Sequence, residues 1–513
     1  MKTPALFILV AGMFVAGICG CHKPEKVIAS LSDAQDARIG VTVGTVGEII
    51  AAKRFPHAAV ETFDEMMDSV AAMKAGKLDA VIAPYPGTLD FIRKNPEFQT
   101  LPESLADVDT SIAVKKGNGE LLAKLNEVIT QLREDGTLAD LKRRWISTDS
   151  SVEEKKLTTP SEGKVLKIGV TATREPFTYA DGTGRLTGHD IELSRIIANR
   201  LHRPVEFSDM KFMALIPSLQ AGKIDMIVTG MTATDERRKF VDFTQPYFAN
   251  AQVLLVKKAG GAMNTAAGSS GKSTRLGGFQ SFLSGLARSF QSNLIEEKRY
   301  LLLWDGLKTS VGISILASIF GTLLGALVCF MRMSGKVVLT IPAKIYIAIM
   351  RGTPVLVLLM LIFYVVFAAV NISPVLVAVI TFGMNFSAYS AEIFRTGIEG
   401  VDKGQTEAGI SIGFTRVATF LNIILPQTVR RILPVYKGEF ISLVKMTSVV
   451  GYIAVQDLTK AGDIIRSRTF DAFFPLVLVA GLYFAMSWVL IQGLEYLERR
   501  TDPKRKRRKK ATR

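Results

Sequence analysis

Long stretches without a charged residue constrain this sequence more than any other feature. One runs from Thr309 to Met331, a second from Gly352 to Ala391 and a third from Ala472 to Leu494. As a helix, the first would be about 34 Å long, enough to cross a hydrocarbon layer of about 30 Å. The mean hydropathy of +0.26 and the 48% share of hydrophobic residues agree with a membrane protein.

The number of spans follows from how these stretches are interrupted. The stretch 352–391 is too long for one span, and its break at Asn371-Ile-Ser-Pro374 predicts two spans with a tight turn. The segment 432–456 is apolar but carries three charged residues. It is typical of a buried surface helix or of a span that turns its charges into a bundle, and spans on both sides favour the second interpretation. The predicted spans are about 309–331, 352–370, 374–394, 433–456 and 472–494.

The positive charge is unevenly distributed along the chain. The formal net charge is +16, and the tail 504–513 (KRKRRKKATR) follows the last span almost directly. Cytoplasmic flanks of spans collect Lys and Arg, and no stacking aromatic residues are interleaved with the basic ones. We therefore interpret the charge as a sign of topology rather than of a nucleic-acid partner. Five spans with the N-terminal part outside predict a multi-pass protein of the inner (cytoplasmic) membrane with a cytoplasmic C-terminus.

The first residues are typical of a targeting segment. Lys2 precedes an uncharged apolar stretch from Ala5 to Ile18, which is short for a span. The following Cys19-Gly20-Cys21 resembles the end of a lipoprotein cleavage box, with Cys21 as the lipidated residue. An uncleaved signal anchor is the alternative. Both interpretations export the residues that follow, and the cysteine spacing indicates neither a disulfide framework nor a metal site.

A helical repeat of apolar residues precedes the first span. It predicts an amphipathic elbow helix over 276–300 that lies at the membrane surface, although a helix packed on a soluble domain would show the same pattern. The repeat consists of Phe279, Phe282, Leu283, Leu286, Phe290 and Leu294.

The loop between the third and fourth predicted spans reads EAGISIGFTRVATFLNIILP, from Glu407 to Pro426. It resembles the cytoplasmic signature of importer permeases in ATP-binding-cassette (ABC) transporters, with Gly409 in place of an alanine. The matching positions are Glu407, Ala408, Gly413, Ile423, Leu425 and Pro426. Small residues allow a short helix to approach a partner closely, Gly413 permits a sharp turn, and Glu407 offers a charge at the rim.

Neighbouring segments narrow the resemblance. YIAIMRGTP (346–354) and SAYSAEIFR (387–395) are similar to the permeases for polar amino acids, and the similarity covers about 301–500. It implies that Glu407, Ala408, Gly409 and Gly413 contact a separate ATPase subunit, which holds ATP and Mg. It also implies a homodimer or a second permease as partner. This chain is then a transport subunit rather than an enzyme, with no cofactor of its own.

The exported part resembles a two-lobed solute-binding protein in swapped order. VLKIGVTATREPF (165–177) and 212–248 resemble the first lobe of a polar amino-acid binding protein. Segments that resemble the second lobe come earlier, at 38–50, 75–83 and 112–145. We interpret this as one circularly permuted domain, since the ends of such lobes lie close together. Two truncated tandem domains are the alternative.

The fold class is therefore mixed: an exported α/β two-lobed domain followed by an all-α five-helix permease domain. The predicted layout is a signal segment (1–21), a tether (22–37), a second-lobe-like half (38–149), a linker (150–163), a first-lobe-like half (164–258), a Gly/Ser linker (259–275), the elbow (276–300), the permease (301–498) and a basic tail (499–513).

The resemblance also implies a ligand site for a small solute. Arg237 matches the arginine that holds a ligand carboxylate, for which its fork geometry is suited, although a surface ion pair with Asp235 or Glu236 would also fit. Thr229 and Thr232 match hydrogen-bonding positions, and Phe212 matches an aromatic wall. Arg174 is the remaining predicted ligand residue of the first-lobe-like half. Thr45 and Val46 open a helix whose N–H groups suit a carboxylate oxygen.

Two departures affect the predicted ligand. Pro84 stands where the family usually has an aspartate for the ligand ammonium, and Thr171 is not acidic either. A buried ammonium would need another partner. A carboxylate-bearing solute is therefore favoured, with polar amino acids as the first class to test.

Two further leads carry less weight. AAGSSGKS (266–273) lacks the first glycine of a phosphate loop, and its composition is that of a flexible tether. The competing function is a ligand-gated channel with the same type of ligand domain. A filter of the Thr-Val-Gly-Tyr-Gly type is missing from the sequence, and Glu407–Pro426 would have no role in a channel.

Overall fold

The computed structural model describes residues 27–146, 154–258 and 284–501, without positions 156, 158–159, 182–183, 286, 369, 470 and 472. Several predictions lie outside these residues. They are the signal segment with Cys21, the Gly/Ser linker 259–275, four apolar positions of the elbow helix (Phe279, Phe282, Leu283 and Leu286) and the tail beyond 501.

The chain divides into two compact units, and each unit draws on separate parts of the sequence. The first comprises 1–109 and 249–275, and the second comprises 110–248 and 276–513. The chain therefore passes from one unit to the other at three places, after 109, after 248 and after 275. The second unit contains both a soluble lobe, 110–248, and the membrane helices.

The first unit is built on a six-stranded mixed sheet. Arg38–Thr42 pairs in parallel with Ala59–Phe63 and with Ala80–Pro84, and Phe248–Lys257 runs antiparallel to Ala80–Pro84. The edge strands Phe98–Thr100 and Ala106–Thr110 both pair with the long strand 248–257. The helices are Val46–Arg54, Met66–Lys74 and Tyr85–Lys94, with a short 3-10 helix at Ser32–Ala34.

The soluble lobe of the second unit has a five-stranded sheet. Its strand order is Val205–Asp209, Leu166–Val170, Met226–Ile227, Ala113–Lys115 and Val241–Phe243. A small antiparallel sheet joins Leu186–Thr187, Thr178–Ala180 and Thr173–Arg174. The helices are Gly119–Glu134, Thr137–Trp145, His189–Arg200, Leu215–Gln220 and Asp235–Arg238, with a 3-10 helix at Phe212–Ala214.

The lobe is assembled from residues on both sides of the linker. Ala113–Lys115 pairs antiparallel with Met226–Ile227 and with Val241–Phe243, so an early strand completes a later sheet. The helix Gly119–Glu134, capped by the Asn118 side chain, buries Leu125 and Ile129 in the same core as Ile168 and Ile197. Burying that apolar face is what fixes the helix on this lobe.

The structural units differ from the halves expected from the sequence, 38–149 and 164–258. Residues 110–146 lie with 164–248, and the strand segment 249–257 lies with 38–109. The physical reason is strand pairing: each sheet takes one strand from the other part of the sequence.

A buried polar network ties the early and late segments of the lobe together. The fully buried Glu192 accepts hydrogen bonds from Arg144 Nη2 at 2.6 Å and from Trp145 Nε1 at 2.8 Å. Arg144 Nε also reaches Asp140 at 2.9 Å. The hydrogen bond to Glu192 raises the pKa of the Arg144 guanidinium above its usual value. The helix Thr137–Trp145 is thereby held on the helix His189–Arg200.

The rest of the second unit is helical. Among the residues that the structure describes, three helices are long and apolar enough to cross a membrane, and up to five spans result if two bent helix pairs are each one span. The α-helices are Tyr300–Met333, Val337–Gly352, Val355–Leu361, Pro374–Glu399, Lys403–Ser411, Arg416–Thr419, Leu425–Met446, Leu458–Thr469 and Phe474–Thr501. Turns of π-helix lie at Gln291–Ile295, Ile362–Val366 and Phe420–Ile424, and 3-10 turns at Glu296–Lys298 and Thr447–Ile453.

The helices match the first, third and fifth expected spans and differ in extent from the second and fourth. The second expected span, 352–370, begins inside a pair bent by 110°, Val337–Gly352 and Val355–Val366. The fourth, 433–456, lies in a pair whose second arm is Leu458–Thr469, bent by 58°. Both arms missed by the sequence analysis carry charges or proline, which made them look like loops: Pro342 lies inside the first, and Arg466 in the last turn of the second.

The helices Tyr300–Met333 and Pro374–Glu399 approach each other closely through small residues. A Cβ on Gly321 would lie 2.6 Å from the carbonyl oxygen of Gly383. Glycines at such crossings let the two backbones come together, which is how membrane helices associate without a hydrophobic driving force. These two helices form the centre of the membrane bundle.

Candidate functional site

The predicted ligand residues of the soluble lobe come together around Phe212. The guanidinium carbons of Arg237 and Arg174 lie 5.3 Å and 5.7 Å from the centre of the Phe212 ring. Phe212 opens a 3-10 turn directly after the strand Val205–Asp209, and Arg174 lies on a strand of the small sheet. Two cationic groups on one aromatic ring make a site that suits a planar anionic group.

Backbone carbonyls orient both arginines. Arg237 Nη1 donates to the carbonyl of Thr232 at 2.8 Å, and Arg174 Nη1 donates to that of Thr229 at 2.6 Å. Each guanidinium holds its donors in a fixed planar fork, so a bond to a backbone carbonyl fixes its direction. The Thr234 side chain caps the short helix Asp235–Arg238, which positions Arg237 in its first turn.

Gly230 makes room for Arg174. It has a φ of +65°, and a Cβ there would lie 3.3 Å from Arg174 Nη2. Its N–H donates to the Tyr247 hydroxyl at 3.2 Å, and that hydroxyl donates to Asp190 Oδ2 at 3.1 Å. Burial, and then the charge of Asp190, raise the pKa of Tyr247 well above 10, so the phenol keeps its proton.

Thr229 and Thr232 have different roles in the structure. The fully buried Thr229 accepts the N–H of Thr171 at 3.2 Å, so its hydroxyl holds the strand end rather than facing an opening. Thr232 is partly exposed and forms an isolated bridge with Thr110. Of these two, Thr232 is therefore placed to meet a ligand.

Thr45 and Val46 belong to the first unit. Thr45 caps the helix Val46–Arg54, accepting the N–H of Gly47 at 3.3 Å and donating to the carbonyl of Thr42 at 2.7 Å. The helix starts directly beyond the carboxyl end of the strand Arg38–Thr42. This is the position at which open α/β sheets present helix N-termini to anions.

The second predicted site lies on the loop helix, Lys403–Ser411. Asp402 caps it by accepting the N–H of Gly404 at 2.7 Å, and the carboxylate-bearing Glu407 is exposed on it together with Ala408. Exposed apolar side chains lie on this helix and in the residues that follow it: Ile410, Ile412, Phe414, Val417 and Leu421. An exposed apolar surface of this kind, beside the charged Lys403 and Glu407, is typical of a surface that meets another protein.

Gly409, the one position that departs from the permease signature, is explained by its neighbour. It is buried, and a Cβ would lie 2.6 Å from Thr419 Cγ2 and 3.0 Å from Ile423 Cδ1. An alanine would therefore clash with the following helical turn. Gly413 has a different reason to be glycine: its φ is +93°, just after the end of the helix, and its own surroundings are open.

Sequence reasoning missed one further set of polar contacts. The helix Leu458–Thr469, which we call the contact helix, was expected to be a loop. It carries Lys460, Asp463 and Arg468, and each forms an ion pair with the soluble lobe. Alternating basic and acidic residues in 457–470 were the available signal.

Comparisons with known proteins match both parts of the chain. Residues 166–444 match the model of bacterial extracellular solute-binding proteins, family 3. The L-cystine transport system permease protein TcyB of Bacillus subtilis (strain 168) is 36% identical over 213 residues, which is 41% of this chain and 91% of TcyB. The glutamine transport system permease protein GlnP of Escherichia coli (strain K12) is 36% identical over 202 residues, 39% of this chain and 92% of GlnP. A solved structure of an amino acid ABC transporter with histidines shares 37% identity, covers 40% of this chain and 95% of its own, and has a TM-score of 0.37.

Proposed function

Since the chain belongs both to family 3 of the bacterial extracellular solute-binding proteins and to the amino-acid ABC transporter permeases, we propose that it is the fused capture and permease subunit of an importer. Its cargo is a small solute with a carboxylate, and polar amino acids are the first class to test. A single chain combines an Arg237–Phe212 pocket with an exposed loop helix, and this combination supports the proposal.

Capture rests on Arg237. Its guanidinium is oriented by the carbonyl of Thr232 and lies over Phe212, and its planar fork geometry suits a bidentate carboxylate. The helix that Thr45 caps supplies N–H groups suited to an anion in the first unit. We propose that the halves 38–149 and 164–258 belong to one permuted binding domain, and the core that 110–146 shares with 164–248 supports this.

Transport rests on the loop helix. A separate ATPase subunit, which holds ATP and Mg, receives Glu407, Ala408 and Gly413 in a groove, and its closure moves the loop helix. The buried Gly409 packs on Thr419 within this chain and so sets the position of that surface. Two permease domains, from a homodimer or from a second permease, enclose the path by alternating access. The loop helix lies on the cytoplasmic side and the soluble units on the outer side of the inner membrane, with Cys21 as the lipid anchor.

The test is uptake of labelled amino acids by cells that express the chain with an ABC ATPase subunit from the source organism. Glu407→Ala is expected to abolish uptake while leaving ligand binding by the purified chain unchanged. Lys403→Ala, on the same exposed helix but outside the signature, is the matched control and should transport normally. Equal uptake by Glu407→Ala and Lys403→Ala would contradict the proposal, as would a loss of ligand binding in Glu407→Ala.

The alternative, a ligand-gated channel, predicts a different result. A channel would conduct ions on ligand addition without ATP, and Glu407→Ala would leave that current unchanged. Uptake that stops when ATP is depleted is the outcome expected of the importer.

A further inference from the structure

The soluble lobe of the second unit contacts the membrane domain through charged residues of both signs. On the lobe, they are Glu175, Asp209, Lys211 and Lys223. On the membrane domain, the partners are Arg468, Lys460 and Asp463 of the contact helix and the backbone carbonyls of Phe367 and Val370. Opposite charges in a fixed order favour one register of contact and penalise others.

The most buried of these contacts joins Lys460 to Asp209. Lys460 is 2% exposed, and its Nζ lies 3.2 Å from Asp209 Oδ1. A lysine that lies this deep is strongly disfavoured without a nearby opposite charge, because burial removes the hydration of its ammonium. Pairing with Asp209 therefore holds the Lys460 side chain against the lobe. The N-terminus of the contact helix is fixed as well, since Asp457 Oδ1 accepts the N–H of Lys460 at 3.0 Å.

Asp209 connects this contact to the ligand pocket. The same oxygen, Oδ1, accepts the N–H of Ala172 at 2.8 Å. The preceding residue, Thr171, donates its N–H to the Thr229 hydroxyl, and the Thr229 carbonyl accepts from Arg174. A shift of Asp209 would therefore displace residues 171 and 172. Through the hydrogen bond between Thr171 and Thr229, it would also displace the Thr229 carbonyl that orients Arg174.

The two outer contacts stand next to pocket residues in the sequence. Lys211 Nζ lies 3.1 Å from Asp463 Oδ2, and its backbone N–H donates to the carbonyl of Gly451; the next residue is Phe212. Glu175 Oε1 lies 3.3 Å from Arg468 Nη1 and directly follows Arg174. Phe212 and Arg174, which form two walls of the pocket, are therefore each adjacent in the sequence to a residue that contacts the membrane domain.

From this arrangement we infer that Lys460, where the contact helix meets the lobe, couples the ligand pocket to the permease through Asp209. The inference rests on the proposed function. Lys460 is a positioning residue here: it touches no cargo and acts through the strand end that orients Arg174. Ligand binding in the pocket and docking of the lobe then change each other's equilibrium constants by the same factor.

Docking is tested on the full chain with carbodiimide, which joins a carboxylate to an amine without a spacer. The expected product is an amide between Lys211 and Asp463, identified by mass spectrometry of the digested chain. Lys155 and Asp140, 2.9 Å apart within the lobe, are the internal positive control. A Lys155–Asp140 link without a Lys211–Asp463 link would contradict the lobe contact on which the coupling through Lys460 depends, and would overturn the inference.

Coupling is tested by ATPase measurements on the chain reconstituted with its ATPase subunit, using an equimolar mixture of the protein amino acids as the probe. Lys460→Met is expected to lower the stimulation by the mixture at least about fivefold, and Lys460→Arg to retain more of it. Lys308→Met, which removes an exposed pair with Asp305, is the matched control and should be stimulated like the wild type.

The outcomes separate the two proposals. A wild-type chain that the mixture does not stimulate contradicts the proposed function, and the coupling inference is then rejected with it. A stimulated wild type with an equally stimulated Lys460→Met variant overturns the coupling inference alone. If Lys460→Met fails to fold, Asp463→Asn takes its place, because it removes the adjacent partly exposed pair; it should lower stimulation, and a normal response would reject the coupling.

Discussion

Replacing Glu192 by glutamine tests whether the soluble lobe is built from both sides of the linker. The fully buried carboxylate receives Arg144 from the early segment through two hydrogen bonds, at 2.6 Å and 3.0 Å, and Trp145 Nε1 through a third at 2.8 Å. The amide of glutamine keeps one acceptor oxygen but turns N–H donors towards the Arg144 donors. The positive charge of Arg144 also loses its buried counter-charge.

The expected cost is large. Breaking a buried ion pair by neutralising one partner typically costs about 3–5 kcal/mol, and the residual exposure of Arg144 places the expected loss near the lower value, about 3 kcal/mol. For a domain of this size, that corresponds to a fall in the unfolding midpoint of roughly 10 °C. Residues 27–258 contain one tryptophan, Trp145, so its fluorescence during thermal unfolding reports on the contact itself.

The matched control is Glu120→Gln. Glu120 lies on the exposed face of the helix Gly119–Glu134, where it pairs with Lys124, and its replacement should leave the midpoint unchanged. Equal midpoints for Glu192→Gln and Glu120→Gln would refute the reasoning. Such a result would mean that the helix Thr137–Trp145 is not packed on the later segment and that the lobe is not assembled from both.

Three further predictions concern the loop helix and the acid stability of the lobe. Gly409→Ala should destabilise the loop by about 1–3 kcal/mol and weaken ATPase stimulation. Adding Thr419→Ser, which removes the nearest clashing atom, should restore part of both, and no rescue would contradict the steric account. Gly413→Ala should cost about 1–2 kcal/mol because its φ is +93°, and Gly413→Asn, which tolerates this conformation better, should be milder in the same ATPase assay; equal effects would argue against backbone strain. Hydrogen bonds from Arg143, Lys155 and Arg144 hold the pKa of Asp140 far below its usual range, so its stabilisation is complete above the unfolded-state pKa of about 4 and is lost as the pH falls below that value. Unfolding midpoints measured across this range should fall with acidification in the wild type and less steeply in Asp140→Asn; parallel curves would contradict this.

Features that local patterns determine could be predicted from the sequence. The uncharged stretch 309–331 lies inside the helix Tyr300–Met333, and 374–394 lies inside Pro374–Glu399. A continuous apolar stretch of this length satisfies its backbone hydrogen bonds inside a membrane by forming an α-helix, so these two spans could be predicted directly. The exposed loop helix around Glu407 was likewise anticipated by the spacing of its signature.

Features that depend on pairing between distant segments could not be predicted in the same way. The short strand Ala113–Lys115 fits either lobe by composition, and its pairing partners, Met226–Ile227 and Val241–Phe243, decide where it lies. The contact helix looked polar because Lys460 and Asp463 find their partners across an interface. Sequence periodicity carries no information about such partners.

The position of Arg174 shows the same limit within the pocket. It was included with the ligand residues, yet the sequence does not show that it shares the ring of Phe212 with Arg237, or that Gly230 gives it room. Those contacts depend on the close approach of three segments: the strand end at 173–174, the turn at 212 and the loop at 229–230.

The most direct test of the central claim is calorimetric titration of residues 27–258 with a panel of amino acids and other small carboxylates. The account predicts a folded domain that binds one class of carboxylate at a single site. Arg237→Ala should weaken binding at least about tenfold, because a charged hydrogen-bonding partner is lost, while the adjacent Arg238→Ala should bind normally. A folded domain that binds nothing in the panel, or binds equally well with Arg237→Ala, would contradict the claim that this chain captures the solute it transports.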